Sequence, residues 1–125
     1  MKEAVFTPEA PIPIGPYSQG IKSGNLIFVS GQVALNQQTK QIEGDIKQQT
    51  HTVLTNLSKI LEAAGSGMDH VVKTTIFLFD MGDFLRVNEV YASFFGENPP
   101  ARSTIQVAKL PLGALVEIEA IALVP

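Results

Sequence analysis

The chain has 125 residues, 45% of them hydrophobic, with twelve acidic against nine basic side chains and a net charge of −3. That length suits one domain, residues 1–125, able to bury its own core, and the absence of cysteine excludes disulfide frameworks, thiol nucleophiles and thiolate-bound zinc. The acidic balance, with no lysine or arginine cluster, argues against nucleic acid as a partner; the lack of a signal-peptide core and of about 18 consecutive apolar residues predicts a cytoplasmic chain with no membrane contact.

Four prolines between Thr7 and Pro16 remove backbone donors and fix φ, so this stretch is expected to lie over the domain as an irregular arm. Tyr17 leaves that arm. Gln19 to Lys22 and Leu26 to Ser30 read as two strands joined at Ser23-Gly24-Asn25, with Gly31 directly after the second. Asp45 opens the strongest helical pattern, in which Ile46, Thr50, Val53, Leu54, Leu57, Ile60, Leu61 and Ala64 recur at steps of three and four until Gly65. Val71 to Phe79, dense in β-branched and aromatic residues, predicts a long strand. Asp83 is placed to cap a second helix carrying Phe84, Val87, Val90, Tyr91, Phe94 and Phe95 and ending at Gly96. Beyond Glu97-Asn98-Pro99-Pro100, Ser103 to Ala108 and Leu115 to Val124 supply the last strands across a Pro111/Gly113 turn. The order is ββαβαββ, an α+β chain.

Alternation along the strands separates two faces. In the last strand Val116, Ile118, Ala120, Ala122 and Val124 form an apolar face, while Glu117, Glu119, Ile121 and Leu123 form a mixed one. Val71 to Phe79 likewise places Val72, Thr74, Ile76 and Leu78 on one side and Val71, Lys73, Thr75, Phe77 and Phe79 on the other. Two helices cover one face of such a sheet. The apolar residues left on the other call for a second subunit.

No P-loop, GxGxxG, HExxH or GxSxG motif occurs, and no histidine pair stands at metal spacing. His51 on a helix flank and His70 in a turn are read as solvated or capping residues. Arg102 follows a rigid Pro99-Pro100 loop and precedes a strand, so its planar fork is aimed with little loss of freedom and suits a carboxylate. A structural ion pair is the simpler account on spacing alone. Glu117 is a carboxylate within an apolar strand, a setting that makes proton carriers; Glu119 on the same face is its rival, and an exposed strand charge or intersubunit ion pair explains either. Gly31 admits close approach of a ligand to the backbone, or serves a bulge. Tyr17 is either a site residue or an anchor for the arm, and Asn88 a site residue or an exposed helix position.

Taken together, IGPYSQG (Ile14 to Gly20), FVSGQV (Phe28 to Val33), VVKTTIFLFDMGDF (Val71 to Phe84), VNEVYASFF (Val87 to Phe95), PARSTIQVAKLP (Pro100 to Pro111) and VEIEAIALV (Val116 to Val124) resemble the RidA, or YjgF, family of enamine/imine deaminases. The resemblance implies a chorismate-mutase-like fold, one sheet with two helices on one face, and a homotrimer with clefts between neighbouring subunits. It implies hydrolysis of 2-aminoacrylate and related imines such as 2-iminobutanoate and 2-iminopropanoate, released by pyridoxal-phosphate enzymes, to 2-oxo acids and ammonia, with no metal or cofactor of its own. It assigns Arg102 to the substrate carboxylate and Glu117 to the attacking water. Tyr17, Ser30, Gly31 and Asn88 match cleft-lining positions, and Thr104 a backbone contact. Many members carry cysteine where this chain has Thr104, which excludes a thiol role here. The alternative is a non-catalytic module that binds 2-oxo acids or regulates a partner. Ribonuclease and chaperone activities, also attributed to the family, fit poorly with an acidic chain and a covered apolar face.

Overall fold

The computed structural model describes residues 1–125. In chain order the elements are β1 (Lys2–Val5), β2 (Gly20–Ser23), β3 (Leu26–Gln32), β4 (Leu35–Asn36), β5 (Gln41–Ile42), α1 (Ile46–Ala63), β6 (Val71–Leu78), α2 (Phe84–Phe94), β7 (Ala101–Gln106) and β8 (Val116–Leu123). α1 begins where the pattern places it. The Asp45 carboxylate accepts the Gln48 N–H at 2.9 Å, and the Gln48 side chain accepts the Asp45 N–H at 2.8 Å, a reciprocal capping box that satisfies two otherwise orphaned donors. At the far end Gly65 takes φ +82°, the left-handed conformation that releases the chain. Between them Val53, Leu54, Leu57, Ile60 and Leu61 form a stripe no more than 1% exposed.

That stripe packs on a six-stranded sheet of order β1-β2-β3-β8-β6-β7; β4 and β5 make a separate small hairpin. All pairs are antiparallel except β6–β7, whose parallel crossover is α2. β8 lies in the middle of the sheet. Its Val116, Ile118, Ala120 and Ala122 are at most 3% exposed and continue into Thr74, Ile76 and Leu78 of β6 and Ile27 and Val29 of β3. Both helices cover this face, α1 against β3 and β8 and α2 against α1; the Tyr91 hydroxyl lies 2.6 Å from that of Thr74. Each large aliphatic side chain buried here contributes about 1.5–3 kcal/mol. The opposite face is uncovered. It carries Phe28, Phe77, Ile105, Ile121 and Leu123, of which Ile105 is 47% exposed.

The structure corrects the pattern in several places. β1 is absent from the expected order because its residues show no alternation; it exists by pairing with β2, from Lys2↔Ser23 to Val5↔Gly20. β3 does not end at Ser30 but runs to Gln32 through a bulge after Val29, so Gly31 lies inside the strand. A register shift between Val71 and Lys73 turns Val71 inward and Val72 outward, the reverse of strict alternation. β7 begins at Ala101 and therefore includes Arg102. Asp83 makes no cap: its carboxylate takes Arg86 at 3.1 Å, while Asp80 accepts the Gly82 N–H at 2.8 Å and caps the single 3-10 turn that leads into α2.

The two aspartates therefore differ in value. Asp45→Ala should cost about 1 kcal/mol by opening the capping box, and Asp83→Ala, which loses one surface ion pair, less than about 0.5 kcal/mol. Urea unfolding of both variants checks this, and equal losses would contradict the capping assignment.

Candidate functional site

Glu117 leaves β8 on the uncovered face, at the position opposite Phe77. Its side chain lies against Gly31 in the β3 bulge. A Cβ at position 31 would overlap a carboxylate oxygen and stand 2.8 Å from the carboxyl carbon, so any side chain here would displace the Glu117 carboxylate. Neighbouring Ser30 donates its hydroxyl to the Ser18 carbonyl at 2.6 Å and its N–H to the Gln19 carbonyl at 2.9 Å. These bonds tie the bulge to the segment that carries Tyr17, which is 52% exposed and accepts the Ile14 N–H on its hydroxyl at 3.2 Å. Tyr17, Ser30, Gly31 and Glu117 thus meet in one cleft of about 590 Å³, joined by Glu119, the arm residues Ile12 and Ile14, and Leu112.

Burial pushes the Glu117 carboxyl above its ordinary value of 4.5, and the nearby Glu119 carboxylate pushes in the same direction. No cation and no hydrogen bond of the chain opposes them. The group is poised to hold and release a proton nearer neutrality than an exposed glutamate.

Arg102, Asn88 and Thr104 lie elsewhere. Arg102 pairs with Thr74 in the β6–β7 ladder, and Thr74 sits under α2; Glu117 pairs with Phe77 on the other side. The arginine and the glutamate therefore occupy opposite faces of one sheet. The Arg102 guanidinium stacks over Tyr91 and Phe84, 4.9 and 5.4 Å from the ring centroids, a contact that also draws on cation–π attraction. The ion pairs of the chain are Lys47–Glu89, Lys59 with Glu9 and Glu62, and Arg86–Asp83. Arg102 belongs to none, so the structural ion pair that spacing favoured does not form within the chain. It borders a second hollow of about 470 Å³ with Asn88, Tyr91, Phe95, Pro99 and Pro100. The Asn88 amide oxygen and the Thr104 hydroxyl are buried without a hydrogen-bond partner, and Thr104 shares the Arg102 face of β7. The Asn56 side-chain nitrogen on α1, which lines neither hollow, is in the same state, and such atoms take a bridging water or a group from outside the chain.

Both histidines lie outside the two hollows. His51 is exposed and meets Phe94 edge-on at 5.3 Å, and His70 ends a short turn before β6. The sequence reading missed the role of Gln19. Expected to begin a strand, it is 2% exposed, and its side-chain amide accepts the Thr7 N–H at 2.7 Å and donates to the Thr7 and Pro11 carbonyls at 3.0 Å. The signal was the arm itself, since a segment with four prolines needs side chains to bind its backbone.

Comparison with known proteins places the chain in a family. The sequence model of the endoribonuclease L-PSP family matches residues 7–124. A RutC family protein of Pyrococcus horikoshii is 54% identical, with 98% of each chain covered. The 2-iminobutanoate/2-iminopropanoate deaminase of Escherichia coli is 44% identical over 98% of each chain. The crystal structure of E. coli TdcF with bound serine superposes with a TM-score of 0.92 at 42% identity, covering 97% of this chain and 98% of that one. The mixed sheet backed by two helices is thus the fold of the solved L-PSP/YjgF proteins it superposes on. The chain belongs to the endoribonuclease L-PSP family, the RidA or YjgF family.

The raised Glu117 value has a consequence for stability. Between its ordinary value and the raised one the folded chain holds the proton more tightly than the unfolded chain, so stability falls as pH rises through that window and stays lower above it. Where no cation from another subunit reaches the carboxyl, Glu117→Gln should remove this dependence and gain more thermal stability over the parent at pH 7 than at pH 4. Melting curves at both pH values test it; a variant less stable than the parent at pH 7 would show the carboxylate to be stabilising instead.

Proposed function

We propose that the protein hydrolyses 2-iminobutanoate, 2-iminopropanoate and the enamines that give rise to them, such as 2-aminoacrylate, to 2-oxo acids and ammonia. The clefts lie between neighbouring subunits of a homotrimer in the cytoplasm. The observation that carries the reading is the split of the site: an unpaired arginine and a proton-holding glutamate sit on opposite faces of one sheet, each in a half-lined hollow. One protomer would bring Tyr17, Ser30, Gly31 and Glu117, and its neighbour Arg102, Asn88 and Thr104. The uncovered apolar face supplies the surface on which they join.

In that cleft the Arg102 fork holds the substrate carboxylate in a bidentate grip that lysine cannot reproduce. Water adds to the protonated imine carbon while the C=N pair moves onto nitrogen, and Glu117 takes the proton that the water gives up. Glu117 then returns it to the nitrogen, the C–N bond breaks, and the remaining hydroxyl proton leaves with ammonia, giving the 2-oxo acid and ammonium. Such imines hydrolyse slowly unaided, so a sparse site suffices at about 1.4 kcal/mol per tenfold.

The serine bound to TdcF favours a second reading, a cleft that holds small carboxylates without turning them over. The endoribonuclease description of the family has less support here, since the chain carries −3 net charge and Arg102 is the one cation bordering either hollow. A pyridoxal-phosphate dehydratase that releases 2-aminoacrylate, followed by 2-oxo acid formation, separates the first two readings. Added protein should speed product formation. Arg102→Lys should lose roughly 1.5–3 kcal/mol of binding, and Glu117→Gln should lower turnover by ~10²–10⁴ while 2-oxo acid binding persists. Unchanged rates together with 2-oxo acid binding would establish the binding module instead.

A further inference from the structure

The arm from Thr7 to Pro16 forms one wall of the Glu117 cleft through Ile12 and Ile14, yet neither side chain is packed: they are 56% and 66% exposed. Its Thr7 and Ala10 are buried, and hydrogen bonds from side chains hold the rest. Gln19 anchors its base. Its tip depends on Gln37, in the β4–β5 turn, whose amide accepts the Ile12 N–H at 3.3 Å and donates to the Ala10 carbonyl at 3.1 Å. The next free donor, the Ile14 N–H, is taken by the Tyr17 hydroxyl at 3.2 Å.

That last bond has a chemical consequence. A phenol accepts and donates at once. With its oxygen accepting from Ile14, the Tyr17 hydroxyl has its own proton left to give, and its rotation is set by where Ile14 stands. Ile14 follows Ile12 through Pro13, and the Ile12 N–H is held by Gln37 while Gln19 holds the Ala10 and Pro11 carbonyls before it. Gln37 itself lies outside the cleft lining.

We propose that Gln37 is a positioning residue for the cleft: by latching the arm tip it fixes the wall that Ile12 and Ile14 form and aims the Tyr17 hydroxyl at the bound carboxylate or imine. This rests on the proposed use of the cleft for 2-imino and 2-oxo acids. Gln37 is half-buried and on a small surface hairpin, so the fold does not depend on it. Its effect should fall on binding rather than on the chemical step, because the group that moves the proton, Glu117, is held by β8 and Gly31 and not by the arm.

The test compares Gln37→Leu and Gln37→Glu with the parent and with Gln38→Leu, an adjacent exposed position, as control. Three quantities are read: amide hydrogen exchange across the arm, affinity for 2-oxobutanoate, and KM and kcat for imine hydrolysis. Gln37→Leu should speed exchange at Ile12 at least about tenfold, with α1 amides unchanged, and weaken 2-oxobutanoate binding and raise KM about three- to tenfold at constant kcat, in line with loss of one or two neutral hydrogen bonds. Gln37→Glu keeps the acceptor for Ile12 and loses the donor to Ala10, so it should fall between Leu and the parent. Faster arm exchange with unchanged affinity would overturn the proposal, as would unchanged exchange. A fall in kcat alone would also overturn it. If the parent binds 2-oxobutanoate but hydrolyses no imine, the deaminase reading fails while the affinity comparison still decides the latch.

Discussion

A β-strand shows its side chains alternately to two sides, and in β8 that alternation decides both the core and the chemistry. Val116, Ile118, Ala120 and Ala122 go beneath the helices, and Glu117 and Glu119 go to the other face with Ile121 and Leu123. With two helices on one side, no helix covers the other. The same geometry leaves a half-buried carboxyl among apolar neighbours, where burial and a second carboxylate both push it up. It also leaves an apolar surface that water does not favour. The proposed trimer answers both conditions: it covers the surface, and it brings to the glutamate a cation that the glutamate's own chain holds on the far side of the sheet.

How much of this is legible from the residues depends on whether the deciding interaction is local. α1 is fully local: Asp45, Gln48, the apolar stripe and Gly65 lie within one continuous stretch, and its start and stop follow from them. β1 is the opposite case, since Lys2–Val5 becomes a strand only through β2, across an intervening arm. The two register irregularities, at Val29–Gln32 and Val71–Lys73, have no mark in the local pattern because they arise from fitting one strand to its neighbour. Asp83 and Asp80 show the same limit at short range. Both precede the second helix, and only the single 3-10 turn between them assigns the cap to Asp80.

For the candidate site, residue chemistry picked out Glu117 and Arg102 one at a time, and the family motifs named them together. Neither indicated that the two stand on opposite faces, because Arg102 was placed outside the strand that β7 turned out to include. Gly31 was read as a point of close approach for a ligand or as part of a bulge; the bulge is there, and the group that approaches its backbone within the chain is the Glu117 carboxylate. The roles of Gln19 and Gln37 were invisible because glutamine has no periodic signature. They become intelligible once the arm is seen to need donors and acceptors that its prolines cannot exchange with a strand.

The central claim is that Glu117 and Arg102 act in one cleft from different protomers, and mixing two inactive variants tests it directly. Glu117→Gln and Arg102→Ala proteins are each assayed alone, then unfolded together in equal amounts and refolded into mixed assemblies. If each cleft takes its glutamate from one protomer and its arginine from the next, about a quarter of the clefts in a random mixture regain both groups, and about a quarter of parental imine hydrolysis should return. If no activity above the sum of the separate variants returns from mixed assemblies, the two residues do not complete a site across the subunit boundary.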